Sequence, residues 1–276
     1  MTKIGIVTDS SCDLPADVVT RHGIEVVPLT IRFGETAFRD GVDLTTAEFW
    51  DRLGDSTHLP ETAAPSPGAF LDAFSRHDDV EGIVCVCLSA ALSGTYQAAA
   101  LAAEEAAVPV KVVDTGVVSL ALGLVAVAAA EAAAGGGGVE TVAEVAASTS
   151  SRANVFAALD TLEYLERGGR VGRVSAFLGG LLDVKPLITL EAGVVAPGGR
   201  VRTRSKAIAA VADHLASKPV SRLALLHGGG ADLPGLISAV SAIASTSGDE
   251  PIIAELGPVV GTHTGPGVVG VAYVEA

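Results

Sequence analysis

The stretch Gly82–Gln97, GIVCVCLSAALSGTYQ, constrains this chain more than any other. Its first part, Gly82–Leu88, is a continuous apolar run and reads as a buried strand. Ala-rich sequence follows from Gln97 to about Ala107 and reads as helix. Ser89–Thr95 is therefore a polar turn between the end of a strand and the start of a helix. In open α/β sheets that is where ligands bind. The turn offers unpaired backbone N–H groups, a favourable helix dipole and the hydroxyls of Ser89, Ser93, Thr95 and Tyr96. This set suits an anionic group, and it equally suits an ordinary helix cap. The Lys and spacing of a P-loop are missing, as is the GxGxxG of a dinucleotide site.

A chain of 276 residues is long enough for two domains or one large one. The composition is 49 % hydrophobic, with Ala and Gly abundant in the chain, which suits a helix-rich α/β protein rather than a disordered one. The net charge of −14 argues against a nucleic acid partner and against an anionic membrane surface. Charge is uneven, because eight of the 18 Lys and Arg fall between Arg167 and Lys206. That segment is a candidate to meet an anionic ligand or an acidic partner, or else a solvated face. Cys12, Cys85 and Cys87 have neither CxxC nor metal-ligand spacing and read as reduced, buried thiols. With no signal peptide, a cytoplasmic protein is expected. The longest apolar stretch, Thr115–Ala130, is shorter than a membrane span and reads as a buried helix, so no stable membrane insertion is expected.

Taken in order, Lys3–Thr8 reads as strand, and Asp9–Asp13 as a second polar strand-to-helix turn before a helix to about His22. Glu25–Phe33 reads as one strand and Gly34–Asp43 as a hairpin or loop. Thr45–Gly54 reads as a short helix with a capping box to Glu48. Leu59–Gly68 is a Pro-rich loop, either a ligand wall around Thr62 or a plain connector, before the helix Ala69–His77. Val110–Val113 is a strand, and Asp114-Thr115 opens the long Ala-rich helix that the four glycines at 135–138 end. Val139–Ser151 is helix and Asn154–Leu159 strand. The composition shift places a domain boundary near residue 152, giving residues 1–152 and 153–276. The second half reads as an amphipathic Val171–Leu182, strands Val184–Glu191 and Val194–Ala196, and Arg200–Arg204 with its arginines pointing one way from a strand. A helix at Ser205–Ala216, a strand at Arg222–Leu226, a helix at Leu233–Ser247 and strands at Ile252–Leu256 and Val268–Val274 complete it. The expected fold is α/β, as two layered α/β domains.

Catalytic readings are weak. His227-Gly228-Gly229-Gly230 lacks the GxSxG elbow that an esterase oxyanion loop requires. Ser93 with His263 makes a conceivable nucleophile and base, with no carboxylate spaced to orient the histidine. His263 lies in GTHTGPG, read as a rigid Gly/Pro turn and a better ligand candidate than the scattered His22, His58, His77 and His214. No metal constellation is expected.

Eight blocks carry a resemblance: IVTDSSCDLP at the start, ETAAPSPGAF at 61–70, LSGTYQ at 92–97, VVDT at 112–115, TLEYLERGGR at 161–170, KPLI at 185–188, VRT at 201–203 and HTGPG at 263–267. In this order, and over nearly the whole chain, they resemble the DegV family of bacterial fatty-acid-binding proteins. Some of these are the acyl-carrying subunit of a two-component fatty acid kinase. The resemblance implies two α/β domains with the lipid carboxylate in the cleft between them and the acyl chain buried. It implies a carrier rather than a catalyst, with no cofactor, a long-chain fatty acid as ligand, a fatty acid kinase subunit as partner and a place in phospholipid metabolism. Carried over by position, the carboxylate-binding groups fall on Thr62, Ser93 and His263, supported by the turn residues Gly94 and Thr95. Contact with the kinase falls on Arg202, with Arg170 and Arg167 as further candidates. Two positions depart from the family pattern: Ala63 stands where a serine is frequent, and Ala90 follows Ser89 where Ser-Ser is frequent.

The physics is compatible with such a ligand. A buried carboxylate is costly unless hydrogen-bonded, and hydroxyls with helix N-terminal N–H groups meet that need. Burying a sixteen-carbon tail contributes on the order of 10 kcal/mol gross, at ~0.8 kcal/mol per methylene. The apolar stretches Phe177–Leu182 and Leu233–Ile243 are candidates to line the tail. Two alternatives stand beside this reading: a stand-alone small-molecule enzyme using Ser93 and His263, and a lipid chaperone without a kinase.

Overall fold

The computed structural model describes residues 3–56, 58–77, 79–177, 184–230, 232–244 and 250–276. In the first half, β1 (Ile4–Asp9) runs through a 3-10 turn (Ser10–Cys12) into α1 (Ala16–His22), then β2 (Ile24–Val27), β3 (Thr30–Phe33) and β4 (Thr36–Arg39). The chain continues through α2 (Thr46–Asp55), β5 (Glu61–Ala63), α3 (Pro67–Ser75), β6 (Gly82–Cys87), α4 (Thr95–Glu105), β7 (Val110–Asp114), α5 (Leu120–Ala134) and α6 (Val139–Ser150). The second half begins with β8 (Ala153–Ala158), α7 (Glu163–Arg167), a 3-10 segment (Gly172–Phe177), β9 (Lys185–Glu191) and β10 (Val194–Val201). It ends with α8 (Arg204–Ala216), β11 (Val220–His227), α9 (Leu233–Ala244), β12 (Ile252–Glu255), α10 (Pro258–Thr264) and β13 (Val269–Glu275).

Strands before residue 152 form a four-stranded parallel sheet, β2-β1-β6-β7, and a small antiparallel sheet, β4-β3-β5. Strands after it form a six-stranded sheet, β10-β9-β8-β13-β11-β12, antiparallel except for the β11–β12 pair. Period-two alternation gives each large sheet two apolar faces. In β6, Ile83, Cys85 and Cys87 pack with α3 and α4 while Val84 and Val86 face the other way. In β8, Phe156 and Ala158 pack with α8 and α9 while Val155 and Ala157 face inward. The inward faces share one core with α5, whose residues 120–130 are all buried. A helix apolar all round needs such cover on every side. The result is a mixed α/β fold with α5 sandwiched between the two large sheets.

Local chemistry matches the sequence at several ends. Thr45 and Glu48 make the full capping box of α2, and Ser66 caps α3 with Pro67 in its first turn. Elsewhere the structure differs. Glu25–Phe33 is not one strand. The chain breaks at Pro28, which has no N–H to donate, and β2 and β3 join different sheets. The Pro-rich loop contains β5, paired with β3 through Thr62 and Ile31. The long helix opens at Leu120, not at Thr115, because Thr115 bonds back to the Cys87 carbonyl. β10 runs past Ala196 to Val201 with a bulge between Pro197 and Gly199, and Arg204 already belongs to α8, so Arg200–Arg204 is not a single strand. GTHTGPG is not all turn: Gly261–Thr264 is the end of α10. Part of the amphipathic Val171–Leu182 and of Leu233–Ser247 lies outside the described residues.

Candidate functional site

A cavity lies between the turns that follow β6 and β7 and the inward face of the six-stranded sheet. Its volume is about 100 Å³. Its walls are mostly apolar: Leu88 after β6, Val155 and Ala157 on β8, Ile188 on β9, Val195 on β10 and Leu226 on β11 are all buried. Its polar lining is small and includes Thr62, Ser93, Arg170 and His263, each partly exposed. Burial therefore grades the cavity from a solvent-reaching polar end to a buried, mostly apolar interior, where Ser119 and Thr264 are the buried polar residues.

Each polar group arrives on a different element. Thr62 sits on β5, whose small sheet packs against α2 and α10. His263 sits in the last turn of α10, and Thr62 Oγ1 is 2.9 Å from His263 Nε2. His263 Nδ1 is buried with no hydrogen-bond partner. A buried N–H without an acceptor is costlier than a bare lone pair, so the proton belongs on Nε2, donating to Thr62. The Thr62 hydroxyl hydrogen is then free to point into the cavity. Burial, with the Arg170 charge beside it, pushes the His263 pKa down to about 4, so the ring is neutral at pH 7. Gly168, after α7, lets the ring fit: a Cβ there would lie 2.3 Å from Nδ1.

Ser93 lies just before α4, where Gly94 occupies the cap position and offers no side-chain acceptor. Ser93 Oγ is 2.9 Å from Thr95 Oγ1 and also accepts from Thr95 N at 3.3 Å. The first turn of α4 thus presents backbone N–H groups and a positive dipole end beside the Ser93 hydroxyl. Thr95 itself is fully buried and braces Ser93. Ser89 is turned away: its hydroxyl donates to the Gly193 carbonyl at 2.7 Å and fastens the β9–β10 hairpin to this turn.

The arginines separate. Arg170 does not stand on the surface with Arg167. It lines the cavity, donating from Nε to the Leu92 carbonyl at 3.2 Å and from Nη1 to the Gly168 carbonyl at 2.8 Å. Arg167 is exposed and paired with Glu163 at 2.9 Å. Arg202 is exposed between β10 and α8. Of the stretches expected to line a tail, Leu233–Ile243 does not: Leu236 and Val240 pack on the far face of the six-stranded sheet. Phe177–Leu182 falls largely outside the described residues.

No local signal in the sequence marks Arg170 as a cavity residue, Gly168 as the spacer for His263, Ser119 as a buried lining residue or Asp13 as the buried residue behind it. The GGR of TLEYLERGGR carries only the turn, since a glycine pair after a short helix brings the following side chain back over it. Among the described residues, no group of three or more His, Cys, Asp or Glu is placed to hold a metal ion, and no helix is long and apolar enough to cross a membrane.

The site gathers a neutral histidine, two hydroxyls, an arginine and a helix N-terminus at one end of an apolar slot. That arrangement suits an amphiphile with a small anionic head. Residues 3–276 match the model of a family described as "Uncharacterised protein, DegV family". A DegV domain-containing protein of Streptomyces coelicolor is 41 % identical, with 97 % of each chain covered. A solved structure entitled "Fatty Acid Binding of a DegV family Protein from Thermus thermophilus" superposes with a TM-score of 0.89 at 33 % identity over 100 % of both chains. A stearic acid-binding protein from Eubacterium ventriosum superposes with a TM-score of 0.86 at 28 % identity, covering 100 % of this chain and 98 % of the other.

Proposed function

Since the chain belongs to the DegV family, we propose that it binds a long-chain fatty acid. The acyl chain lies in the apolar cavity and the carboxylate meets Thr62, Ser93, His263 and Arg170. Residues 1–152 and 153–276 act as two domains closing on the ligand. The observation that carries this reading is the grading of one cavity from four polar groups to buried aliphatic walls. The Thr62 hydroxyl, oriented by neutral His263, donates to the carboxylate, and the Ser93 hydroxyl and the N–H groups of α4 supply further donors. Arg170 contributes the positive charge that a half-buried anion needs. A carboxylate held by hydroxyls at the mouth stays reachable from solvent.

The finer reading is that the carboxylate is presented to a separate kinase subunit, which converts it to acyl phosphate. Its support is the likeness of the family blocks to acyl-carrying subunits of fatty acid kinases, together with exposed Arg202 on a chain of net negative charge; Arg167 is exposed too, with its charge met by Glu163. Local positive charge favours approach to an ATP-bearing partner. A lipid chaperone without a kinase would share the same cavity. The Ser93–His263 enzyme has less to stand on: Nε2 of His263 faces Thr62, Ser93 faces Thr95, and no carboxylate orients Nδ1.

Solvent extraction of the natively purified protein, with mass spectrometry of the extract, tests the binding step. About one equivalent of a long-chain fatty acid is expected. No bound lipid and no uptake of added fatty acid by the emptied protein would remove the proposal. For the kinase step, Arg202→Glu is expected to keep lipid bound while abolishing acyl phosphate formation with a fatty acid kinase and ATP. Loss of lipid as well would make Arg202 structural, and undiminished phosphorylation would remove it from the contact.

A further inference from the structure

Behind the cavity wall lies a buried carboxylate that the binding reading does not use. Asp13 follows the 3-10 turn after β1, with its backbone in the left-handed region at φ 52°. Its Oδ1 accepts from Gly257 N at 2.9 Å, and its Oδ2 is 2.6 Å from Ser119 Oγ, which donates to it. Gly257 is the cap residue of α10, the helix that carries His263. Ser119 is the cap residue of α5, lines the cavity and is itself buried.

Ser119 is also strained. Its backbone sits at φ 61°, ψ −150°, a region that essentially only glycine occupies without penalty. A serine persists there only where its surroundings hold it, and two bonds do so: its N–H donates to the Ser11 carbonyl at 2.9 Å and its hydroxyl to Asp13. One side chain therefore ties a strained cavity residue of the first half to the helix of the second half that bears the histidine. The Gly257 bond spans 244 residues of sequence. Gly257 also leaves room for it, since a Cβ at that position would sit 3.0 Å from Asp13 Oδ1.

We infer that Asp13 is a positioning residue for the ligand site: by holding Gly257 and Ser119 together, it sets α10, and with it His263, against Thr62. This rests on the fatty-acid reading only for the identity of the ligand. Asp13 touches no ligand itself. Its effect is carried by α10 and by Ser119.

Two variants separate hydrogen bonding from volume. Asp13→Leu keeps the approximate volume and removes both bonds, whereas Asp13→Asn keeps an acceptor for Gly257 N and turns its Nδ2 amide to Ser119 Oγ, which then accepts where it had donated. Both are made in the full chain and stripped of lipid. They are read by palmitate titration and by the ring 15N resonances of His263, assigned through His263→Gln. Asp13→Leu is expected to weaken palmitate binding about tenfold and to shift the Nε2 resonance as the Thr62 bond is lost. Asp13→Asn is expected to restore both to within about twofold. A folded Asp13→Leu with unchanged resonance and affinity overturns the inference, as does an Asn variant no better than Leu. If Asp13→Leu does not fold, the His263 Nε2 resonance of ligand-free Ser119→Ala decides: a shifted resonance supports the inference, and an unchanged one overturns it. A wild-type protein that takes up no palmitate would overturn the proposed function. The His263 resonance of the ligand-free variants would still decide the role of Asp13.

Discussion

At the scale of single residues, the site depends on small clearances and on where protons sit. Gly168 has an ordinary helical φ of −75°, so alanine costs nothing in backbone freedom there. Its Cβ, however, would fall 2.3 Å from His263 Nδ1 and 3.0 Å from the Tyr164 carbonyl. Gly168→Ala is expected to drive the ring off Thr62 and to weaken fatty-acid binding at least tenfold, checked by titration, with a stability loss of about 1–3 kcal/mol. Protonation supplies a second expectation. Burial raises the carboxyls of Asp9, Asp40 and Asp13 to about 6, 7 and 8 from an ordinary 3.8. The folded chain holds these protons more tightly than the unfolded one, so their contribution to stability is full below about 3.8 and declines as pH rises to about 8. His263 works in the opposite sense: lowered from 6.5 to about 4, it contributes stability above 6.5 that is lost as pH falls toward 4. Urea unfolding as a function of pH should show the alkaline decline ending near 8 in the wild type and near 7 in Asp13→Asn, where Asp40 becomes the highest remaining group.

At the scale of elements, α5 decides how the two large sheets meet. Its Ala, Leu and Val residues are apolar on every side because strands of both sheets cover it. Gly123 is where the start of the chain crosses it. A Cβ there would come 2.8 Å from Leu14 Cδ2 and 2.9 Å from the Cys12 carbonyl oxygen. Alanine for glycine inside a helix ordinarily gains about 0.5–1 kcal/mol. Here the backbone oxygen cannot yield as a flexible side chain would, so overpacking of about 1–3 kcal/mol outweighs the gain. Gly123→Ala is expected to lower Tm, and a raised Tm would mean that the Asp9–Asp13 turn is free to shift. The small sheet plays a complementary part. By packing on α2 and α10, it carries Thr62 to His263 across 201 residues of sequence.

At the scale of the whole molecule, the ligand slot exists because one core is continuous between the four-stranded and six-stranded sheets. Its capacity is set by side chains on the inward face of the second sheet. Val155 is buried there and lines the cavity. Val155→Phe is expected to shift the extracted fatty acid toward shorter chains or to lower its yield, as read by mass spectrometry. An unchanged chain profile would place the tail elsewhere. Charge acts at the same scale: on a chain of net charge −14, the proposed contact with an anionic partner relies on local exceptions such as Arg202.

Sequence by itself determined the elements whose signals are local. Period-two and continuous apolar runs mark β1, β6, β8 and β11, and hydroxyl and proline chemistry marks the starts of α2 and α3. The ordered family blocks named Thr62, Ser93 and His263, and all three line one cavity. Local signals stop there, because a side chain's partner is set by distance in space and not by distance along the chain. Pro28 marked no change of sheet by itself, and VVGTHTG reads as turn until packing on α2 and α7 makes it helical. Arg170 and Arg167 lie three residues apart and look alike in sequence, yet the glycine pair after α7 brings one back to the cavity while the other, on α7, stays exposed beside Glu163. Asp13 read as turn chemistry. Only the docking of the second half against the first brings Gly257 within 2.9 Å of it.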